Sequence, residues 1–293
     1  MTALIRGGIG NQLFCYAFAR NLSLMHGYRL LLDLQTGFAR DFTYRRSSCL
    51  DHFSIEAAAA SDRHRMEPLG RLRRKAAHWL TEKGMPLTTH YIREKQRAFD
   101  TRYLDEPRAS HVYLDGYWQS ERYFKEYETV IRSDLAFKGL MPSEANRTMR
   151  DQIDPARDVM LHYRCFHNPA DRTVVHANLR EYYRKAIEYT GTVIREPRYF
   201  VFTDRPEVVR EQLGPLLSAG YVLVDINDEA SAIYDLWLQT HFRHFIIANS
   251  TFSWWGAWLS DRPGKVVVAP SVRTSGVSDW GFDGLIPDTW ITL

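Results

Sequence analysis

Cysteine is scarce in this chain: Cys15, Cys49 and Cys165 stand far apart, without a Cys-x-x-Cys pair. An odd number of scattered thiols argues against a disulfide framework and against a cysteine-built zinc site. A reducing, cytoplasmic compartment suits them. No stretch approaches the ~20 consecutive apolar residues that a membrane span requires. The opening segment MTALIRGGIGNQLFC is interrupted by glycines and by Asn11-Gln12, so it does not read as a secretion signal. Charge of one sign is also lacking, since 38 Lys+Arg against 35 Asp+Glu leave only +3. That balance does not imply nucleic acid as a partner. Internal repeats and low-complexity tracts are absent, and no acidic, His or Cys cluster has metal-ligand spacing.

What is present is a globular composition, with 45% apolar and 25% charged residues. At 293 residues the chain can hold two domains, each with a core that needs no metal or disulfide. Apolar β-like runs alternate with helical patterns, the signature of α/β layering. Short strands are expected at Ala3-Leu-Ile and Tyr28-Arg-Leu-Leu-Leu-Asp33, with a helix through Phe14, Phe18, Leu22 and Met25 between them. Later strands are clearer, at Val159-Met-Leu-His-Tyr, Tyr199-Phe-Val-Phe-Thr, Tyr221-Val-Leu-Val-Asp, Phe245-Ile-Ile-Ala and Val266-Val-Val. Helices are expected between them at 179–189, 207–217 and 230–241. Continuous apolar strands separated by helices predict parallel sheets buried on both faces. Gly139-Leu-Met-Pro-Ser-Glu-Ala-Asn is the best boundary, giving domains 1–142 and 143–293. The expected fold is α/β, with two Rossmann-like domains facing across a cleft.

Several motifs carry chemistry, each with a plainer alternative. Gly7-Gly-Ile-Gly-Asn-Gln12 follows a strand and opens a helix, where backbone N–H groups can meet an anion. A dinucleotide fingerprint fails there, because its third glycine would fall on Leu13. The glycines alone explain a tight turn, but not the two amides Asn11 and Gln12. His162 and Arg164 lie on one side of a strand end, where α/β sheets place ligands. Arg164 would there grip a diphosphate, or pair with a neighbouring carboxylate. Asp204 with Glu207 reads as a helix cap. Asp235 shares a polar helix face with Gln239, and is either solvated or an acceptor pair for a guanine edge. Asn249-Ser250-Thr251 follows a buried strand and would receive a phosphate at a helix start, beside Phe252 and three tryptophans. Those tryptophans, at helical spacing, read mostly as core. A basic amphipathic helix is expected within 63–80, with Leu69, Leu72, Ala76, Trp79 and Leu80 among six cations. It is either a solvated face or a peripheral contact with an anionic membrane.

Gly8-Ile-Gly-Asn-Gln-Leu-Phe-Cys-Tyr-Ala-Phe, Tyr113-Leu-Asp-Gly-Tyr-Trp-Gln-Ser-Glu-Arg-Tyr-Phe, Asp235-Leu-Trp-Leu and Ile246-Ile-Ala-Asn-Ser-Thr-Phe-Ser-Trp-Trp-Gly-Ala-Trp-Leu occur in one order across nearly the whole chain. Together they resemble the α-1,2-fucosyltransferases of glycosyltransferase family 11. The resemblance implies a GT-B type fold and inverting, metal-independent transfer from GDP-β-L-fucose without a cofactor. The acceptor it implies is a hydroxyl of an oligosaccharide or lipid-linked glycan, galactose 2-OH in particular. By the same resemblance, Gly10 and Asn11 would face the donor and Arg164 would hold the β-phosphate as catalytic residue. His162 and Asp235 would contact guanine, and Ser250, Thr251 and Phe252 would cradle the diphosphate. The family pattern His-x-Arg-Arg-Gly-Asp is here His162-Tyr-Arg164-Cys165-Phe166-His167, and its later Asp-Asp pair is Asp204-Arg205. Those departures leave another GDP-sugar, or a catalytically silent nucleotide-binding relative, as alternatives. The general base is unassigned: Asp115 and Glu121, flanking Tyr117-Trp118, are either candidates or structural.

Overall fold

Two parallel β-sheets, each with its own helices, organise the chain. The computed structural model describes residues 1–85, 89–107, 109–164, 179–217, 220–271 and 280–293, with backbone alone at Leu179. Two compact units result, Met1–Gly139 with Asp283–Leu285, and Leu140–Phe282 with Ile286–Leu293.

In the first unit β1 (Thr2–Leu4) leads into α1 (Ile9–Met25), followed by β2 (Leu31–Asp33) and β3 (Ala58–Ala59). Then come α2 (Gly70–Glu82), β4 (Thr89–Arg93), β5 (His111–Asp115) and α3 (Glu128–Asp134). The sheet order is β3-β2-β1-β5-β4, with every strand pairing parallel. β1 and β5 lie at its centre, and Ala3, Leu4, Val112, Tyr113 and Leu114 are buried on both faces, as a parallel sheet requires. α1 is apolar nearly all round, so Leu13, Phe14, Phe18 and Leu22 are fully covered. Asp33 ends β2 as a structural acceptor: it takes the Tyr113 hydroxyl (2.6 Å) and the backbone N–H groups of Gln35 and Thr36. The returning segment Asp283–Leu285 packs here too. Its Asp283 carbonyl accepts Phe99 N–H, and a side chain at Gly284 (φ 85°) would lie 2.7 Å from Phe99 Cβ.

The second unit runs α4 (Glu144–Asp151), β6 (Asp158–Tyr163), α5 (Leu179–Val193), β7 (Arg198–Thr203), α6 (Pro206–Gln212) and β8 (Tyr221–Val224). It continues through α7 (Ala232–Gln239), β9 (His244–Ile246), α8 (Thr251–Leu259), β10 (Val267–Ala269) and β11 (Ile291–Thr292). The sheet order β11-β10-β9-β6-β7-β8, again all parallel, winds outward in both directions from β6 and β9. All six residues of β6 are buried. At its N-terminal end Asp158 is gripped by the Arg198 guanidinium (2.8 and 2.6 Å), a tie remote from the sheet's other edge.

Three local expectations change. The helix expected over 207–217 breaks after Gln212 into a 3-10 turn at Gly214–Leu216, because Pro215 lacks the N–H a continuing helix needs. Arg205 rather than Asp204 occupies the cap of α6, and its own side chain makes no capping bond. Gln239 is fully buried instead of sharing a solvated face, since Gly256 lets α8 approach it closely.

Candidate active site

Open parallel sheets gather ligands beyond their carboxyl ends, where strand order reverses. In the second unit that point lies between β6 and β9. β6 delivers His162 and Arg164, while the chain leaving β9 delivers Asn249 and then Ser250, the cap of α8. The His162 and Phe252 ring centroids are 6.1 Å apart. Two neighbouring tyrosines of α5 hold the strand ends beneath. Tyr183 donates to the His162 carbonyl (2.7 Å), and Tyr182 to the carbonyls of Ile247 (2.7 Å) and Val268 (3.0 Å).

Burial, reinforced by the Arg164 charge, pushes the His162 pKa down to about 3, so the imidazole is neutral. Its Nδ1 has no partner among the described residues. Arg164 meets the Asp204 carboxylate at 3.4 Å, with side-chain exposures of 42% and 36%. The carboxylate-pairing alternative for Arg164 is thus realised, and Asp204 is its partner rather than a helix cap. An ion pair so exposed contributes little, so the guanidinium stays available to a stronger anion. Ser250 Oγ accepts the Phe252 N–H (3.3 Å), fixing the N-terminus of α8 and its partial positive charge beside Arg164's strand. Trp254, Trp255 and Trp258 behind it are buried core.

Asp235, on α7, is not the solvated carboxylate its helical position allows. Burial raises its pKa to about 6, opposed by a hydrogen bond from Asn227 Nδ2 to Oδ1 (2.7 Å). Asn227 is locked in turn by a reciprocal amide pair with buried Asn146 (2.9 Å each way). Oδ2 has no partner among the described residues. A half-buried carboxylate with one oxygen anchored and one open is a preorganised acceptor.

In the first unit, the turn after β1 needs glycine at Gly7 specifically. Its φ is 78°, and a Cβ there would lie 2.9 Å from Asn11 Nδ2. Gln12 proves structural: Nε2 donates to the carbonyls of Gly7 (2.9 Å) and Ser47 (3.0 Å), and Oε1 accepts Cys49 N–H (2.8 Å). Buried Gly10 and half-buried Asn11 form the first turn of α1, and Asn11 Oδ1 accepts Gln119 Nε2 (2.8 Å). Asp115 is a buried hub for Tyr91 (2.8 Å), Arg93 (2.9 Å) and Arg6 (3.1 Å), a structural role on the sheet. Glu121 pairs with Lys125 at 3.8 Å.

Sequence reasoning missed one residue and the burial of another. Glu94 accepts the backbone N–H groups of Tyr117 (2.7 Å) and Trp118 (3.0 Å), and burial raises its pKa. It sits in a charged run that reads as surface, so no pattern marks it. Asn249 is 5% exposed, with neither amide atom partnered among the described residues. Its place in Asn-Ser-Thr was visible, but not its burial. The altered Cys165-Phe166-His167 stretch lies outside the described residues.

The model of the family described as glycosyl transferase family 11 matches residues 87–278. The chain belongs to glycosyltransferase family 11, and it is a glycosyltransferase. It is 25% identical over its full length to an α-1,2-colitosyltransferase of Escherichia coli, covering 98% of that protein. It is 37% identical to the O-antigen biosynthesis glycosyltransferase WbnK of Escherichia coli over 39% of this chain and 36% of that one. Its fold is similar to that of an Arabidopsis thaliana FUT1 mutant in complex with GDP: TM-score 0.58, 10% identity, covering 98% of this chain and 74% of that one. It is also similar to NodZ α-1,6-fucosyltransferase soaked with GDP-fucose: TM-score 0.51, 16% identity, covering 94% and 96%. The family 11 chain therefore has the GT-B type of fold. Among its described residues no helix is long and apolar enough to cross a membrane, and no group of three or more His, Cys, Asp or Glu could hold a metal ion.

Proposed function

We propose that this family 11 enzyme moves L-fucose from GDP-β-L-fucose, with inversion, to a glycan hydroxyl such as galactose 2-OH. The observation that carries the reading is the convergence at the β6/β9 switch point. Arg164, neutral His162 and the capped start of α8 meet there, with the anchored Asp235 in the same unit. In this reading the second unit, 143–293 in the sequence division, is the nucleotide side, and 1–142 serves the acceptor.

Each residue then has a task. Ionised Asp235 presents Oδ2 to guanine's paired N–H donors, and His162 offers Nδ1. Ser250, Thr251 and Phe252 supply backbone N–H groups and the helix end for the diphosphate. Gly10 and Asn11, in the first turn of α1, are assigned to the donor by the family resemblance. As the acceptor hydroxyl yields its proton to a base or to water and its oxygen attacks the anomeric carbon, the bond to the β-phosphate oxygen breaks and negative charge grows there. Arg164 exchanges Asp204 for that phosphate and stabilises the charge as it develops.

A second donor has support of its own. The relative matched along its whole length is named for colitose, a fucose lacking its 3-hydroxyl. Transfer assays with GDP-fucose and GDP-colitose, on galactose-terminated acceptors, separate the two. Turnover of GDP-fucose alone supports the first reading, and turnover of GDP-colitose alone replaces it. Tight GDP binding without transfer from either donor would make the protein a silent nucleotide binder.

A further inference from the structure

The helix α2 faces the wrong way for a water-soluble surface element. Its sheet-facing side is short and polar. Arg74 bonds to Glu67 (3.5 Å), the Thr81 hydroxyl accepts Tyr91 N–H (3.1 Å), His78 meets the Tyr91 ring, and Ala77 touches the small core around Tyr91 and Tyr113. Two of its large apolar residues point outward instead: Leu72 is 64% and Trp79 57% exposed, with exposed Ala76 between them, and steps of four and three residues put these three on one stripe. Leu69, the left-handed residue that caps the start of α2, is 67% exposed at its N-terminal end.

Cations border that stripe. At about 100° per residue, Arg73 lies on one flank and Lys75 and Arg71 on the other. Arg63 precedes the helix and Lys83 caps its end, both exposed. Among the described residues none of these five forms an ion pair. The nearby acids are already engaged: Glu82 with Lys95 (2.9 Å), Glu67 with Arg74, and Asp62 with Arg65.

We propose that α2 docks the protein on an anionic phospholipid surface, with Leu69, Leu72, Ala76 and Trp79 in the acyl boundary and the flanking cations among the headgroups. Such a helix lies in the interface plane, held jointly by apolar burial and by attraction to anionic lipid. A second copy of the chain is the poorer occupant, because face-to-face pairing would bring two rings of like charge together. Docking in this way would hold the enzyme where lipid-carried acceptors are presented.

The test is flotation of the full-length protein with vesicles of phosphatidylcholine, alone or mixed with phosphatidylglycerol. Wild-type protein should float with the mixed vesicles, not with phosphatidylcholine alone, and release as salt rises. Leu72→Glu with Trp79→Glu should abolish flotation at an unchanged melting temperature. Arg71→Gln with Lys75→Gln should weaken it about fivefold per residue removed. Absence of flotation with anionic vesicles overturns the proposal. So does equal binding to both vesicle types, or a wild-type dimer that Leu72→Glu with Trp79→Glu converts to monomer.

Discussion

At the residue scale, Arg164 and Asp204 are the informative pair. Their contact is 3.4 Å long and roughly half-exposed, so breaking it should hardly move the melting temperature. If Arg164 instead neutralises the leaving phosphate, Arg164→Ala should cut turnover by roughly 10²–10³-fold while the protein stays folded. Arg164→Lys should recover little, because a point charge cannot replace the planar fork. Asp204→Asn should go the other way and tighten GDP binding, since it removes the anion that competes for the guanidinium. Calorimetric titration with GDP, alongside turnover and melting temperature, checks all three. A folded Arg164→Ala enzyme with near-normal turnover would remove the catalytic role.

Asp235 makes a prediction in pH. Its carboxyl titrates near 6 in the folded protein because of burial, against about 4 in the unfolded chain. The folded state therefore binds the extra proton, and this group's contribution to stability falls as pH rises between those values, then levels off. Asp235→Asn removes that cost, so the variant should gain on the order of 2 kcal/mol relative to wild type at neutral pH, and nothing at about pH 4. GDP affinity should show the opposite dependence. Wild-type binding needs the ionised carboxylate and should strengthen as pH rises through 6, whereas the variant should bind weakly throughout. Thermal melts and GDP titrations across that range decide it. The guanine role of Asp235 was legible in the sequence, but its burial was not: a helical wheel gave it a polar face and could not supply Asn227, eight residues upstream in a loop.

At the element scale, glycine has opposite meanings in two helices of one unit. Gly191, near the end of α5, has open space where a Cβ would go. Gly191→Ala should stabilise by about 0.5–1 kcal/mol, the usual gain of alanine within a helix. Gly256, in α8, faces Gln239, and a Cβ there would lie 2.2 Å from Oε1 and 2.8 Å from Cβ of that residue. Gly256→Ala should therefore destabilise by about 1–3 kcal/mol, with α7 forced away from α8. Denaturant midpoints of the two variants test the contrast. Gly191 lies just past the helix expected over 179–189 and Gly256 falls among tryptophans at helical spacing, and the sequence does not show which has room for a side chain. It was more generous with strands such as β6 and β7, whose continuous apolar runs follow from burial on both faces. β3, two exposed alanines, and β4, Thr-His-Tyr-Ile-Arg, carry no such run. β5 is hidden differently: its buried Tyr113 donates to Asp33 of β2 and its buried Asp115 accepts from Tyr91 of β4, and polar residues at that spacing do not read as core.

For the whole molecule, the nucleotide should be read out by stability. GDP should raise the melting temperature more than UDP or ADP, by an increment that grows with the logarithm of its concentration. Asp235→Asn should abolish the preference. Transfer should persist in excess chelator, because Arg164 offers the positive charge that a divalent ion would otherwise bring. Loss of activity in chelator with rescue by magnesium or manganese would reassign the leaving-group chemistry. The broad plan of this molecule, parallel sheets of α/β type in two halves, was legible from alternation alone. The return of Asp283–Leu285 to the first unit was not, because three residues carry too little pattern to announce which sheet they serve.

That return has a consequence for how such enzymes recombine. Because Phe282 and Ile286 belong to the second unit while the residues between them belong to the first, the backbone changes unit three times. A chimera that swaps everything after Gly139 imports a fragment of the half it means to keep. The foreign segment must then supply a left-handed glycine against Phe99 and Ser120, or the inherited half is left with an open seam. The second unit of this chain cannot be traded as a clean C-terminal cassette. A successful graft has to leave residues 283–285 behind.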